Sequence, residues 1–176
     1  DKKSSNRLIV QSNRQQKDFY WGKAEKIHYS NKKGTSLTGA LFYPANYNPA
    51  KKYPLIVSIY ELKSQEFYQY VNPTLYSDTG FNVTNYTAQG YFVLYPDIKY
   101  EIGNPGISAL DCVLSATQSV IDKGIIQKDK VGLIGHSFGG YESVFILTQT
   151  NIFTAAVAGA ASHRKLQSSY PEGSHP

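Results

Sequence analysis

The sequence predicts an α/β fold, with a mostly parallel sheet and an antiparallel hairpin at its front. Three continuous apolar runs, over 55–60, 91–97 and 131–136, have the pattern of strands that are buried on both faces. Helical segments separate these runs, as in right-handed parallel crossovers. A turn signal, Asn-Lys-Lys-Gly over 31–34, lies between two strand-like segments near the front of the chain and predicts the hairpin.

The elements of the first half follow in order. The hairpin strands are predicted over 23–29 and 37–43, and Pro44 ends the second because proline lacks a ladder donor. A polar and aromatic loop over 61–80 follows the first buried strand. Its position places it at the carboxyl edge of the sheet, where such folds bind ligands. A short helix is predicted over 81–89.

The second half contains the clearest helix. Ser108, with Asp111 three residues later, resembles a capping box and predicts its start, and Gly124 predicts its end. A further buried strand is predicted over 154–161, whose small residues let a helix pack closely. The helix has an apolar stripe that indicates core packing rather than a cofactor site, made of Ile107, Leu110, Val113, Leu114, Thr117, Val120 and Ile121.

Composition excludes several classes of function. The 176 residues are 41% hydrophobic and 18% charged, and the net charge of +5 is spread over turns, so we expect no nucleic-acid partner. No apolar run reaches the ~18 residues of a membrane span. Neither a Cys/His cluster nor a phosphate-binding glycine pattern occurs, so we expect no metal and no cofactor. The single cysteine, Cys112, is expected to be buried and unreactive, and the compartment stays open.

The segment Gly-His-Ser-Phe-Gly over 135–139 joins an apolar strand to a helix. This spacing and context fit the Gly-x-Ser-x-Gly nucleophile elbow, whereas the alternative is a tight turn that merely contains serine. A serine at such a turn is expected to have a positive φ, and its neighbours must lack bulk. We therefore predict a nucleophile at Ser137 with its Oγ exposed, elbow glycines at Gly135, Gly139 and Gly140, and a first oxyanion-hole donor in the N–H of Phe138.

The extended motif over 135–141, Gly-His-Ser-Phe-Gly-Gly-Tyr, resembles the prolyl oligopeptidase family of serine peptidases. The likeness extends to the strands over 55–60 and 91–97, so residues 20–161 look like the front part of that family's α/β-hydrolase domain. The resemblance implies cleavage of a peptide substrate through an acyl-enzyme on Ser137. It also implies a second oxyanion donor, the hydroxyl of Tyr60, for which the alternative is packing at a strand end.

The acid and base of a catalytic triad are not found in the sequence. In this fold they follow the serine, yet no Asp follows Ser137. Glu142 is expected to be a charge on the helix surface. His136 is expected to point to the opposite face, lining a pocket or packing. The remaining candidates, which are not expected to act, lie in a polar, aperiodic tail; they are His163, Glu172 and His175.

We expect three segments: residues 1–20 as a linker or the exit from a preceding domain, 21–161 as a partial α/β-hydrolase domain, and 162–176 as an irregular tail. The sheet is expected to be truncated before its last strands, which leaves 154–161 as an apolar edge. Because the acid and base of the triad are not found, the chain alone is expected to be inactive. Because of the apolar edge, it is expected to self-associate or to depend on a missing C-terminal segment. The alternatives are an esterase or other acyl-transfer hydrolase, and a non-catalytic fragment or degenerate hydrolase.

Overall fold

A computed structural model describes residues 9–12, 14–18, 22–77 and 80–161. In these ranges six strands form one sheet, in the order β1-β2-β4-β3-β5-β6. Strands β4, β3, β5 and β6 are parallel, and β2 is antiparallel to both β1 and β4. The predicted α/β class, mostly parallel sheet and front hairpin are confirmed. The strands are β1 Ala24–Ser30, β2 Ser36–Phe42, β3 Tyr53–Ile59, β4 Phe92–Pro96, β5 Ile126–His136 and β6 Ala155–Gly159.

Helices connect the parallel strands. Within the described ranges they are α1 Val83–Ala88, α2 Pro105–Ile121 and α3 Phe138–Leu147, with 3₁₀ turns at Arg14–Asp18 and Ser64–Tyr68. None of them is long and apolar enough to cross a membrane. The tail predicted over 162–176 lies outside the described residues.

The long loop after β3 is tied to the end of β4. The carboxylate of Asp97 accepts a hydrogen bond from the N–H of Ser64 at 2.7 Å and another from its hydroxyl at 2.7 Å. Both residues are buried, so the pair is shielded from water. The bonds hold the start of the loop against the carboxyl edge of the sheet, where the sequence places it.

The start of α2 differs from the prediction. The helix begins at Pro105. Proline has no N–H to donate, and the first residue of a helix needs none, because no carbonyl inside the helix would accept it. Ser108 lies one turn inside, and its hydroxyl donates to the carbonyl of Asn104 at 2.8 Å. The predicted start at Ser108 is therefore wrong, because proline already defines the boundary.

The buried face of α2 is offset from the predicted stripe. Val113, Thr117 and Val120 are buried as expected, whereas Ile107 is 53% exposed. The buried face also includes small residues that an apolar pattern ranks low, namely Ala109, Cys112 and Ala116, each of which is fully buried. The predicted burial of Cys112 is confirmed, and burial raises the pKa of its thiol.

The two faces of the sheet carry separate cores. Successive residues of β4 alternate between these cores. Phe92 and Leu94 belong to the larger core, on the side of α2 and α3. Val93 and Tyr95 belong to the smaller core, on the side of α1. Strand β6 is outside both: residues 155–158 are exposed, contrary to the buried strand predicted there. It pairs with β5 along one edge, and no described strand covers its other edge.

Candidate active site

Strand β5, Ser137 and helix α3 form a sharp turn. The strand ends at His136 and the helix begins at Phe138, so one residue makes the connection. Ser137 has φ 56° and ψ −115°, which confirms the predicted positive φ. Its N–H donates to the carbonyl of Gly159 at 2.8 Å, which ties the strained turn to β6.

The glycines around the serine leave no room for a side chain. A Cβ on Gly135 would fall on the carbonyl of Gly139, where β5 meets α3. On Gly139 it would lie 2.5 Å from the carbonyl oxygen of Ile59, and on Gly140 2.6 Å from that of Gly159. Because these contacts involve backbone, no side-chain rotation relieves them. The three glycines therefore permit the approach of α3 to strands β5, β3 and β6.

The Ser137 side chain is available at the end of α3. The residue is exposed, and within the described ranges its hydroxyl makes no capping hydrogen bond to the helix. Phe138 is the first helical residue, so its N–H has no acceptor inside the helix. The positive end of the helix dipole lies beside both groups. A hydroxyl and an N–H donor thus occupy adjacent residues, as the elbow prediction requires.

Tyr60 directly follows β3 and lies beside the turn. Ile59 is paired with Gly135, so the carboxyl ends of β3 and β5 meet at one edge. The Cα of Tyr60 is 3.5 Å from the position that a Cβ of Gly139 would take. The residue is 42% exposed, so it is in contact with solvent at this edge. Contact of the Tyr60 hydroxyl with an oxyanion stays a prediction.

Glu142 is fully buried, and the predicted surface charge is wrong. Helix α3 packs against the sheet and α2, and Glu142 lies among its buried positions, with Ser143 and Ile146. Its Oε1 is hydrogen-bonded to the hydroxyl of Tyr100, while Oε2 has no partner among the described residues. Burial raises the pKa of Glu142 to about 8, and the charge of Glu61 adds to this shift. The carboxyl is therefore mostly protonated at neutral pH.

Tyr100 connects Glu142 with both predicted oxyanion donors. Its hydroxyl lies 2.8 Å from the backbone carbonyl oxygen of Tyr60. Its ring meets the ring of Phe138 edge-on, with centroids 5.7 Å apart. Burial and the neighbouring Glu142 raise the pKa of the Tyr100 hydroxyl, which stays protonated. The sequence interpretation missed this residue, although its place just past the carboxyl end of β4 is where parallel sheets bind ligands.

In the described ranges no histidine is hydrogen-bonded to the Ser137 side chain. His136 is exposed, and its Cδ2 is 3.3 Å from the place that a Cβ on Gly159 would take, so it lies beside β6, in line with packing, one of its two expected positions. His28 is exposed on β1, at the far edge of the sheet. His163 and His175 are outside the described residues. No group of three or more potential metal ligands occurs in the part that the structure describes.

Comparison with known proteins agrees with this geometry. Residues 102–171 match the model of the prolyl oligopeptidase family. Dipeptidyl peptidase 8 of Mus musculus is 30% identical over 151 residues, which cover 77% of this chain and 16% of that protein. This chain therefore spans about a sixth of the length of that relative.

Solved structures of peptidases share the fold. Acylaminoacyl peptidase from Pyrococcus horikoshii superposes with a TM-score of 0.65 at 14% identity, over 89% of this chain and 26% of its own. Dipeptidyl peptidase 4 from Porphyromonas gingivalis gives a TM-score of 0.63 at 21% identity, over 84% and 22%. The fold is of the α/β-hydrolase type, and over residues 102–171 the chain is similar to the prolyl oligopeptidase family.

Proposed function

We propose that the chain carries the nucleophile and the oxyanion hole of a serine peptidase that cleaves peptide bonds through an acyl-enzyme on Ser137. The observation that carries the proposal is the strained turn, with an exposed serine at positive φ on the N-terminus of α3. The match to the prolyl oligopeptidase family supports a peptide as the substrate, because the relatives that match are named as peptidases.

In the proposed reaction the Oγ of Ser137 attacks the carbonyl carbon of the scissile bond. The carbonyl oxygen gains negative charge and accepts hydrogen bonds from the N–H of Phe138 and the hydroxyl of Tyr60. Collapse of this intermediate expels the amine and leaves an ester on Ser137, which water then hydrolyses.

The proton acceptor is proposed to come from residues outside the described ranges. Between Ser137 and residue 161 the sequence contains no histidine, and its one acid, Glu142, is already hydrogen-bonded to Tyr100. Serine is a weak nucleophile without a base. The described residues alone are thus expected to give only the modest acceleration that an oxyanion hole and substrate binding provide.

The test compares Ser137→Ala with Ser119→Ala in the full-length protein. Ser119 is a matched control because its hydroxyl bonds only within α2, to the carbonyl of Ala116 at 2.7 Å. We expect Ser137→Ala to lower kcat on a peptide amide by roughly 10³-fold or more and Ser119→Ala to leave it unchanged. Full hydrolysis by Ser137→Ala would overturn the proposal. Activity on the matching ester, but not on the amide, would favour the esterase alternative.

A further inference from the structure

We propose that Glu142 and Tyr100 are a positioning pair, in which the neutral acid of Glu142 donates to the Tyr100 hydroxyl and that hydroxyl donates to the carbonyl of Tyr60. The pair holds the two oxyanion donors in place relative to Ser137. The inference rests on the proposed function, because it assigns a role within the same site.

The Tyr100 hydroxyl has fewer protons than hydrogen-bonding contacts. The Tyr100 hydroxyl contacts two oxygens, the carbonyl oxygen of Tyr60 at 2.8 Å and Oε1 of Glu142. A backbone carbonyl can only accept, and the hydroxyl has one proton to donate. Both contacts are hydrogen bonds only if Glu142 supplies the second proton. The two contacts therefore favour the acid form of Glu142.

The burial of Glu142 points the same way. A carboxylate without water needs donors for both oxygens, whereas Oε2 has none among the described residues. A neutral acid leaves Oε2 as an unpaired carbonyl-type oxygen, which costs much less than an unpaired buried charge. No cation is among the groups that shift its pKa, which are Tyr100 before α2 and Glu61 after β3. The other ionisable groups that sense Glu142 are Cys112 on α2 and Tyr141 on α3 itself.

Tyr100 contacts both residues that carry the proposed oxyanion donors. Its bond to the Tyr60 carbonyl restrains the peptide plane that follows Tyr60, and with it the backbone from which the Tyr60 side chain extends. Its ring packs against Phe138, whose own N–H is the other proposed donor. Tyr100 thus contacts both donor residues. Through its bond to Glu142 it is also joined to α3, about one turn after Ser137.

Loss of the Glu142 proton reverses the chain of hydrogen bonds. The carboxylate then accepts a hydrogen bond from the Tyr100 hydroxyl, and the carbonyl of Tyr60 faces lone pairs instead of a donor. With the pKa of Glu142 raised to about 8, this change falls in the mildly alkaline range. We infer that turnover declines there as the Tyr60 hydroxyl loses its alignment.

The experiment measures kcat and KM against pH for full-length wild type, Glu142→Gln, Tyr100→Phe and a control, Tyr43→Phe. Tyr43 is a matched control because it is also a buried tyrosine bonded to a glutamate, Glu25 at 2.5 Å. It lies at the opposite edge of the sheet, near the start of β4. Circular dichroism establishes that each variant is folded.

We expect the kcat of wild type and of Tyr43→Phe to fall by roughly 10- to 100-fold above pH 8, the scale of a small misplacement of catalytic groups. Glu142→Gln keeps its neutral-pH kcat at alkaline pH, because an amide N–H donates to Tyr100 at every pH. Tyr100→Phe has a kcat roughly 10- to 100-fold lower at every pH, with little change in KM and no alkaline decline. Adding Tyr100→Phe to Tyr60→Phe has a smaller effect than Tyr100→Phe alone, because the donor being positioned is already gone.

An alkaline decline that persists unchanged in Glu142→Gln would overturn the inference, as would a Tyr100→Phe variant with the kcat and pH profile of wild type. If Ser137→Ala removes hydrolysis in the same assays, such a failure leaves the proposed function standing. Hydrolysis that survives Ser137→Ala would instead overturn both.

Discussion

Replacing Glu142 with glutamine should make the stability of the protein less sensitive to pH. The pKa of this carboxyl is about 8 in the folded state, because it is buried, and near its ordinary value of about 4.3 in the unfolded chain. A group whose pKa rises on folding contributes stability that is complete below the unfolded pKa and is lost as pH rises through the folded pKa. Wild type should therefore lose stability relative to Glu142→Gln between about pH 4.3 and pH 8.

The size of the stability difference follows from the difference between the folded and unfolded pKa of Glu142. For each unit of pH within this window, the unfolding free energy of wild type falls by about 1.4 kcal/mol relative to that of the variant. Over the whole window the fall is at most about 5 kcal/mol. Urea unfolding followed by far-UV circular dichroism, from about pH 5 to about pH 8, measures the difference in unfolding free energy. All other titrating groups are common to both proteins, so the pH-dependent part of that difference belongs to Glu142.

A surface carboxylate provides the control. Glu101 is about half exposed and forms an ion pair with Lys33 at 2.5 Å, so Glu101→Gln removes a charge whose pairing contributes only about 0–1 kcal/mol. A free-energy difference between wild type and Glu142→Gln that stays constant from pH 5 to pH 8 would refute the reasoning. It would mean that the carboxyl ionises in the folded protein as freely as in the unfolded chain.

Three further predictions concern the site and its surroundings. Tyr60→Phe should lower kcat by roughly 10²–10³-fold in steady-state kinetics, as expected for the loss of one oxyanion donor, and a change below about threefold would leave Tyr60 as a packing residue. Gly139→Ala should lower the free energy of unfolding by roughly 1–3 kcal/mol, because its Cβ would lie 2.5 Å from the Ile59 carbonyl oxygen, and an equally stable variant would contradict this packing. Cys112 is fully buried with a raised thiol pKa, so a thiol reagent should modify it only after unfolding, and rapid modification of the native protein would count against its burial.

The elements that the sequence predicts well are those set by local pattern. The hairpin depends on a turn at 31–34, where Gly34 has φ 78°, and the central strands are continuous apolar runs. The elbow is also local, because the glycines and Ser137 lie within six residues and their spacing alone requires the tight turn. Each of these signals is complete within a short window of the chain.

The features that the sequence does not reveal depend on tertiary packing. A carboxylate on a helix usually faces water, so the sequence predicts a surface charge at Glu142, but this position lies on the buried side of α3. Its partner Tyr100 is 42 residues away along the chain, and no local period links the two. The exposure of β6 likewise depends on which strands lie beside it rather than on its own apolar composition.

The most direct test of the central claim, that Ser137 is the nucleophile, is covalent labelling by a fluorophosphonate. The full-length protein is treated with the probe, and mass spectrometry of its peptides locates the modified residue. The account predicts stoichiometric labelling at Ser137 in wild type and in Ser119→Ala, and none in Ser137→Ala. Labelling at a different serine, or an unmodified Ser137 in a preparation that hydrolyses peptides, would contradict it.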